Sequence, residues 1–136
     1  MFLNCRRDSY RRFGLSEAPK YITWSSQNNS RLFRAPEING KRQHFILRSP
    51  DSCCNPYMAS AIIIQAGIAG VRNKEKLPPA KDVSFRFLTE DGSAKLDRLP
   101  ESIEEAIELA SKSDFINNSS FAPIAKNYIE TIKQSI

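Results

Sequence analysis

Five basic side chains stand where a small anion could be gripped: Arg12, Arg31, Arg34, Lys41 and Arg48. A guanidinium binds carboxylate or phosphate with two parallel N–H donors, and a strand holds it more rigidly than a loop does. Only Asp8, Glu17 and Glu37 oppose them in the first fifty residues. Other chemistries lack their parts. Cys5, Cys53 and Cys54 contain no CxxC pair, and His44 is the single histidine, so neither a zinc site nor a disulfide framework can be assembled. There is no glycine-rich phosphate loop, no GxSxG elbow and no HExxH. A nucleophile–base pair from Cys53 and His44 has no support in the spacing. A magnesium cage needs converging carboxylates, which the pattern does not supply. The arginines therefore point to a small anionic substrate or a nucleotide, with a solvated basic face as the open alternative.

Charge sharpens this reading. Residues 1–50 hold ten Lys or Arg against three Asp or Glu, a net of +7, whereas residues 51–136 hold ten against twelve, a net of −2. A basic half can serve nucleic acid, a membrane surface or a small polyanion. No recognition helix or RNA-binding aromatic motif is present, which argues against nucleic acid. The apolar run after Pro56 is about 16 residues, short of the roughly 20 a membrane span needs. Met1-Phe2-Leu3 leads directly into Asn4 and arginines, unlike a secretory leader. Free thiols suit a reducing compartment, so the cytoplasm is expected, with adjacent Cys53 and Cys54 as small filler residues.

The elements that must position the arginines are strands. "KYITWSS" (20–26), "RLFRAPEI" (31–38) and "HFILRSP" (44–50) are rich in β-branched and aromatic residues. "QNNS" supplies one turn and Asn39-Gly40 a hairpin signal, so an antiparallel meander is expected over 20–50. Alternation puts His44, Ile46 and Arg48 on one face, and Arg31 and Arg34 on opposite faces. Asn55-Pro56 starts a helix running to about Val71, with Asn as N-cap and Pro at the first turn. It is apolar all round and is expected to be buried all round, with Gly67 and Gly70 admitting a close neighbour. "VSFRFL" (83–88) is a short strand candidate in a long irregular link. "LPESIEEAIELASKS" forms an amphipathic helix with Ile103, Ala106, Ile107 and Ala110 as its stripe. A last helix from about Phe121 places Phe121, Ala125, Tyr128, Ile132 and Ile136 together. The fold class is therefore α+β, an antiparallel sheet of about three to four strands packed on helices. These elements look too few to enclose the apolar helix, so a partner or further protein is expected.

The order of residues from "SYRR" (9–12) through "SEAP" (16–19), "LFRAP" (32–36), "ILRSPD" (46–51) and "NPYMASAIIIQAGIAGV" (55–71) resembles the second half of the catalytic domain of bacterial-type glutamine synthetase. "LPESIEEAIELASKSDFI" resembles the helix that follows, so the likeness spans nearly the whole chain. The resemblance implies ATP-dependent ligation of ammonia to glutamate through γ-glutamyl phosphate, with Mg or Mn. It implies that Arg12 grips glutamate and that Glu17 closes over the site and handles ammonium. It implies Arg34 on the nucleotide phosphates, Lys41 in the nucleotide pocket, and Arg48 on glutamate and the phosphoryl group.

Departures accompany the likeness. Asn29 stands where the family has arginine in N-R-S, and Ile46 stands where it has a metal-binding glutamate. One residue is missing between "SYRR" and "SEAP". The family's other metal ligands and its small N-terminal β-domain precede the "SYRR" position, which here begins at residue 9. The expectation is a single partial domain over 1–136 that binds no metal by itself and is inactive alone, self-associating or completed by a missing N-terminal portion. The alternative is a non-catalytic module that pairs with a synthetase subunit.

Overall fold

The computed structural model of the chain describes residues 1–42, 44–82 and 96–136. Two compact units form. The first comprises Met1–Arg11, Pro50–Leu77 and Pro100–Ile136, and the second Arg12–Ser49 and Pro78–Leu99. The "VSFRFL" candidate strand lies outside the described residues.

The first unit is helical. Helix α1 (Pro56–Arg72) begins where Asn55 turns its side-chain oxygen onto the backbone N–H groups of Tyr57 and Met58. Those are two of the donors a helix start leaves without a partner. Arg72 sits in its last turn, suited to the negative end of the helix dipole. Helix α2 (Ile103–Lys112) is capped by Ser102, whose oxygen accepts from Glu105 N. A short α3 (Asp114–Asn117), capped by Ser113, leads into α4 (Ala122–Ser135), which has proline near its start. The core gathers Ile103, Ala106 and Ile107 of α2, Ile116 of α3, and Ala122, Ala125, Ile129 and Ile132 of α4. The N-terminal segment closes it. The Phe2 ring stacks on Tyr128 at 5.6 Å and meets Phe121 edge-on at 6.2 Å. Burying each large side chain contributes about 1.5–3 kcal/mol before chain entropy.

Helix α1 departs from expectation. Among its residues only Ala59 is buried, while Tyr57, Ile64 and Val71 are 85%, 61% and 80% exposed. Beyond the adjoining residues and the helix's own backbone, no described atom lies within 4 Å of the place a Cβ would occupy on Gly67 or Gly70. The physical reason lies in α2 and α4, which spend their apolar stripes on each other and on Phe2.

The second unit holds the sheet, which is mixed. Strand β1 (Trp24–Ser25) pairs parallel with β2 (Phe33–Arg34), and β2 pairs antiparallel with β5 (Ile46–Leu47). Strands β3 (Glu37–Ile38) and β4 (Lys41–Arg42) form a separate antiparallel hairpin. The expected meander fails at two places. Ser25 Oγ accepts from the N–H groups of Gln27 and Asn28, and Asn28 Oδ1 accepts from Ser30 N. These side-chain turns bring the chain round twice rather than once, so β2 runs alongside β1. Asn39 and Gly40 both take positive φ, 51° and 73°, and close their own two-residue hairpin rather than joining longer strands. The unit is tied further by Ile22 N donating to Asp97 O, Leu99 N to Lys20 O and Lys81 N to Trp24 O.

Candidate functional site: the arginines of the second unit

Arg12, Glu17, Arg31, Arg34, Lys41 and Arg48 all fall in the second unit. Arg34 is the last residue of β2, and Lys41 opens β4 just after the Asn39-Gly40 turn. Arg48 follows β5, its N–H bonded to Leu32 O at 3.0 Å. Arg12 ends a 3₁₀ helix (Arg7–Arg12), and Glu17 lies in the loop after it.

Arg48 and Glu17 are brought together. Arg48 Nη2 donates to Glu17 Oε2 at 3.0 Å, with the two side chains 26% and 58% exposed. Arg12 donates from Nη2 to the carbonyl of buried Ser49, and its guanidinium lies 5.2 Å from the Phe13 ring centroid. A planar cation over an aromatic face is held in orientation as well as attracted. Arg12 is thus fixed from two sides near the chain segment that carries Arg48.

Arg34 lines a concave site of about 380 Å³ with Ser26, Gln27, Pro36, Glu37 and Gly40. Its Nε is buried and finds no acceptor among the described residues. A buried guanidinium N–H without an acceptor carries a penalty that an incoming anion would remove. Lys41 is exposed and adjoins this concavity through Gly40. Sequence reasoning missed Ser26, Gln27 and Glu37. The signal was available in part: the Asn39-Gly40 turn closes a short hairpin that carries both Glu37 and Lys41.

Arg31, grouped with the others by sequence, is a structural residue. It is 0% exposed, its Nε donates to Lys81 O at 2.7 Å, and Asp82 lies close enough to favour its charge. Burial pulls its pKa below the usual arginine value. Asp82 in turn accepts from Ser25 Oγ. Arg31 therefore cross-links 25, 31 and 81–82 instead of facing a ligand.

The donor set does not fit a divalent cation. Ile46 occupies β5 with no oxygen to offer, and among the described residues no three His, Cys, Asp or Glu side chains converge. Asn29, at the position where the resemblance implies arginine, is half-buried, and its Oδ1 has no hydrogen-bond partner among the described residues.

Comparison with known proteins places the chain. A family model described as the glutamine synthetase catalytic domain matches residues 1–135. The glutamine synthetase of Thermotoga maritima is 36% identical over 120 residues, covering 87% of this chain and 27% of its own length. That of Methanosarcina mazei is 33% identical over 117 residues, covering 83% of this chain and 26% of its own. That of Clostridium saccharobutylicum is 30% identical over 115 residues, with 83% and 26% covered. The chain belongs to the glutamine synthetase family, and its α+β fold agrees with that catalytic domain. It spans about a quarter of the length of the curated relatives it matches. Among the described residues no helix is long and apolar enough to cross a membrane.

Proposed function

We propose that this chain is the guanidinium-bearing C-terminal portion of a glutamine synthetase catalytic domain, and that it binds the family's anions without forming glutamine alone. Arg34, with Lys41 beside it, takes the phosphates of ATP. Arg12 and Arg48 take glutamate, and Arg48 also faces the transferring phosphoryl group. Glu17 handles ammonium. Phosphoryl transfer spreads negative charge over the equatorial oxygens, and fixed cations stabilise that charge. Metal ions, when bound, would neutralise the remainder, but their carboxylate ligands must come from elsewhere. The observation that carries the proposal is the buried, acceptor-free Nε of Arg34 in a cleft of about 380 Å³. The test pairs two measurements on the whole chain. With ATP, glutamate, ammonia and magnesium, glutamine should stay at background, and sustained turnover would overturn the proposal. Calorimetry with millimolar ATP at low salt should show weak, salt-sensitive binding, and a flat trace would remove it.

A second reading rests on α1. Ile64, Ile68 and Val71 are exposed on one helix, an apolar surface unusual for a monomer. It supports a module that pairs with itself, with an N-terminal portion or with a complete synthetase subunit in the cytoplasm. Co-expression with such a subunit should give mixed oligomers, and a strictly monomeric chain in the mixture counts against it.

A further inference from the structure

The three thiols, which the anion-binding site does not use, gather in the first unit. Cys5 Sγ donates to the carbonyl oxygen of Cys53 at 3.2 Å, across 48 residues of sequence. The two strands of chain are registered by the backbone, since Asp51 N donates to Leu3 O at 2.8 Å. Asp51 also shapes the turn that presents Cys53. Its Oδ1 accepts from Cys53 N at 2.8 Å, and its carbonyl accepts from Cys54 N at 3.1 Å. Cys53 is exposed, whereas Cys5 and Cys54 are half-buried, and both of these lie close enough to act on the Tyr128 hydroxyl.

We propose that Cys53 and Cys5 are a peroxide-sensitive pair, Cys53 being oxidised first and Cys5 closing a disulfide onto it. The placement decides the pairing. Cys53 is the accessible sulfur, and susceptibility to oxidants follows exposure. Its sequence neighbour Cys54 is a poor partner, because a bridge between adjacent residues is strained. Cys5 already has its sulfur against the Cys53 carbonyl, and the Asp51–Leu3 hydrogen bond holds the two segments side by side. Burial raises the Cys5 pKa, which slows its own reaction with peroxide and leaves Cys53 to be oxidised first.

The chemistry balances with hydrogen peroxide as the oxidant. The Cys53 thiolate attacks one peroxide oxygen, an S–O bond forms, the O–O bond breaks and hydroxide leaves to become water. The Cys5 thiolate then attacks the Cys53 sulfur of the sulfenic acid, an S–S bond forms, the S–O bond breaks and a second water leaves. Two thiols lose two protons and two electrons, and one peroxide becomes two waters. The covalent ring that results runs through residues 6–52 and so contains Arg12, Glu17, Arg34, Lys41 and Arg48.

The test uses the full reduced chain and one equivalent of hydrogen peroxide. Remaining thiols are capped with a maleimide, and the chain is cut with trypsin without reductant. Trypsin releases Met1–Arg6 and Ser49–Arg72, so a 5–53 bridge joins these peptides with the loss of two hydrogens. Fragmentation between Cys53 and Cys54 then tells which sulfur is used. The internal control is the chain itself. Cys53 and Cys54 are nearly equidistant from Cys5 in sequence, and an unfolded chain cannot distinguish them. The native chain should favour 5–53 over 5–54 by roughly tenfold or more, falling to about equal amounts in concentrated guanidinium chloride. Cys54→Ser should keep the bridge, and Cys53→Ser should abolish it. Equal 5–53 and 5–54 yields in native buffer, only intermolecular cross-links, or no bridge while Cys53 is oxidised would each overturn the proposal.

Discussion

The Arg48–Glu17 pair gives a prediction whose sign is not obvious. An anion arriving at Arg48 meets a carboxylate already 3.0 Å from Nη2. Changing Glu17→Gln keeps the shape and an acceptor oxygen but removes the competing charge. The gain is bounded by what the pair is worth. With side chains 26% and 58% exposed, solvent screens it, and exposed pairs are worth about 0.2–1 kcal/mol. That converts to an affinity gain of about 1.4- to 5-fold for L-glutamate. Calorimetric titration of both chains at low ionic strength reads it directly. The same titrations at about 1 M salt, where the Debye length is about 3 Å, should bring the two affinities together. Unchanged or weaker binding by the Glu17→Gln chain at low salt would refute the competition argument. A gain that persists at high salt would show that it arises from something other than charge.

Arg34→Ala should weaken ATP by about 10- to 150-fold, the loss of one charge-assisted hydrogen-bond donor worth about 1.5–3 kcal/mol, while Lys41→Ala at its exposed site should cost less. Calorimetry on both variants separates them, and an equal or reversed order would displace Arg34 from the phosphate site. Ile103→Ala empties a position that is 0% exposed and should lower the unfolding free energy by about 2–5 kcal/mol, read as a shift in urea midpoint. Tyr10 donates to Asn4 O at 2.8 Å and is buried, which pushes its pKa well above the tyrosine value of 10.0. The folded state therefore favours the protonated ring, so this stabilisation is complete below pH 10 and lost as pH rises through the folded value. Alkaline unfolding followed with tyrosinate absorbance should lose part of its pH dependence in Tyr10→Phe, and an unaltered profile would contradict the assignment.

What could be read from sequence was what local chemistry decides. Asn55-Pro56 caps its helix as expected, because a short side-chain acceptor beside free N–H donors needs no distant partner. The stripes of α2 and α4 bury Ile103, Ala106, Ile107, Phe121, Ala125 and Ile132 and half-bury Ala110 and Tyr128, with Ala122 and Ile129 added to the expected set and Ile136 left exposed at the end. Asn39-Gly40 does make a hairpin turn. The pairing of strands could not be read, because Trp24–Ser25 and Phe33–Arg34 run parallel through side-chain turns at Ser25 and Asn28 that have no periodicity. The fate of α1 was invisible for the opposite reason. Its composition asks for burial, but whether burial occurs depends on which surfaces the other elements have left.

The arginines show how one residue type is given different work by its surroundings. Alternation along a strand can say which face a guanidinium takes, but not what waits there. Arg31 meets the Lys81 carbonyl and the charge of Asp82, so its cation is spent inside the unit. Arg48 meets Glu17, an exposed carboxylate that a stronger anion can displace. Arg12 meets the Ser49 carbonyl and the Phe13 ring, which fix the orientation of its guanidinium. Arg34 keeps a buried Nε without an acceptor among the described residues, in a cleft whose described lining includes one carboxylate, Glu37. Arg31, wholly buried with its Nε bonded, is the anchor, and Arg34, which alone of the four lines the cleft, is the residue most open to an outside anion. The difference follows from partners that lie as far as 50 residues away in sequence. That is why spacing alone grouped all four.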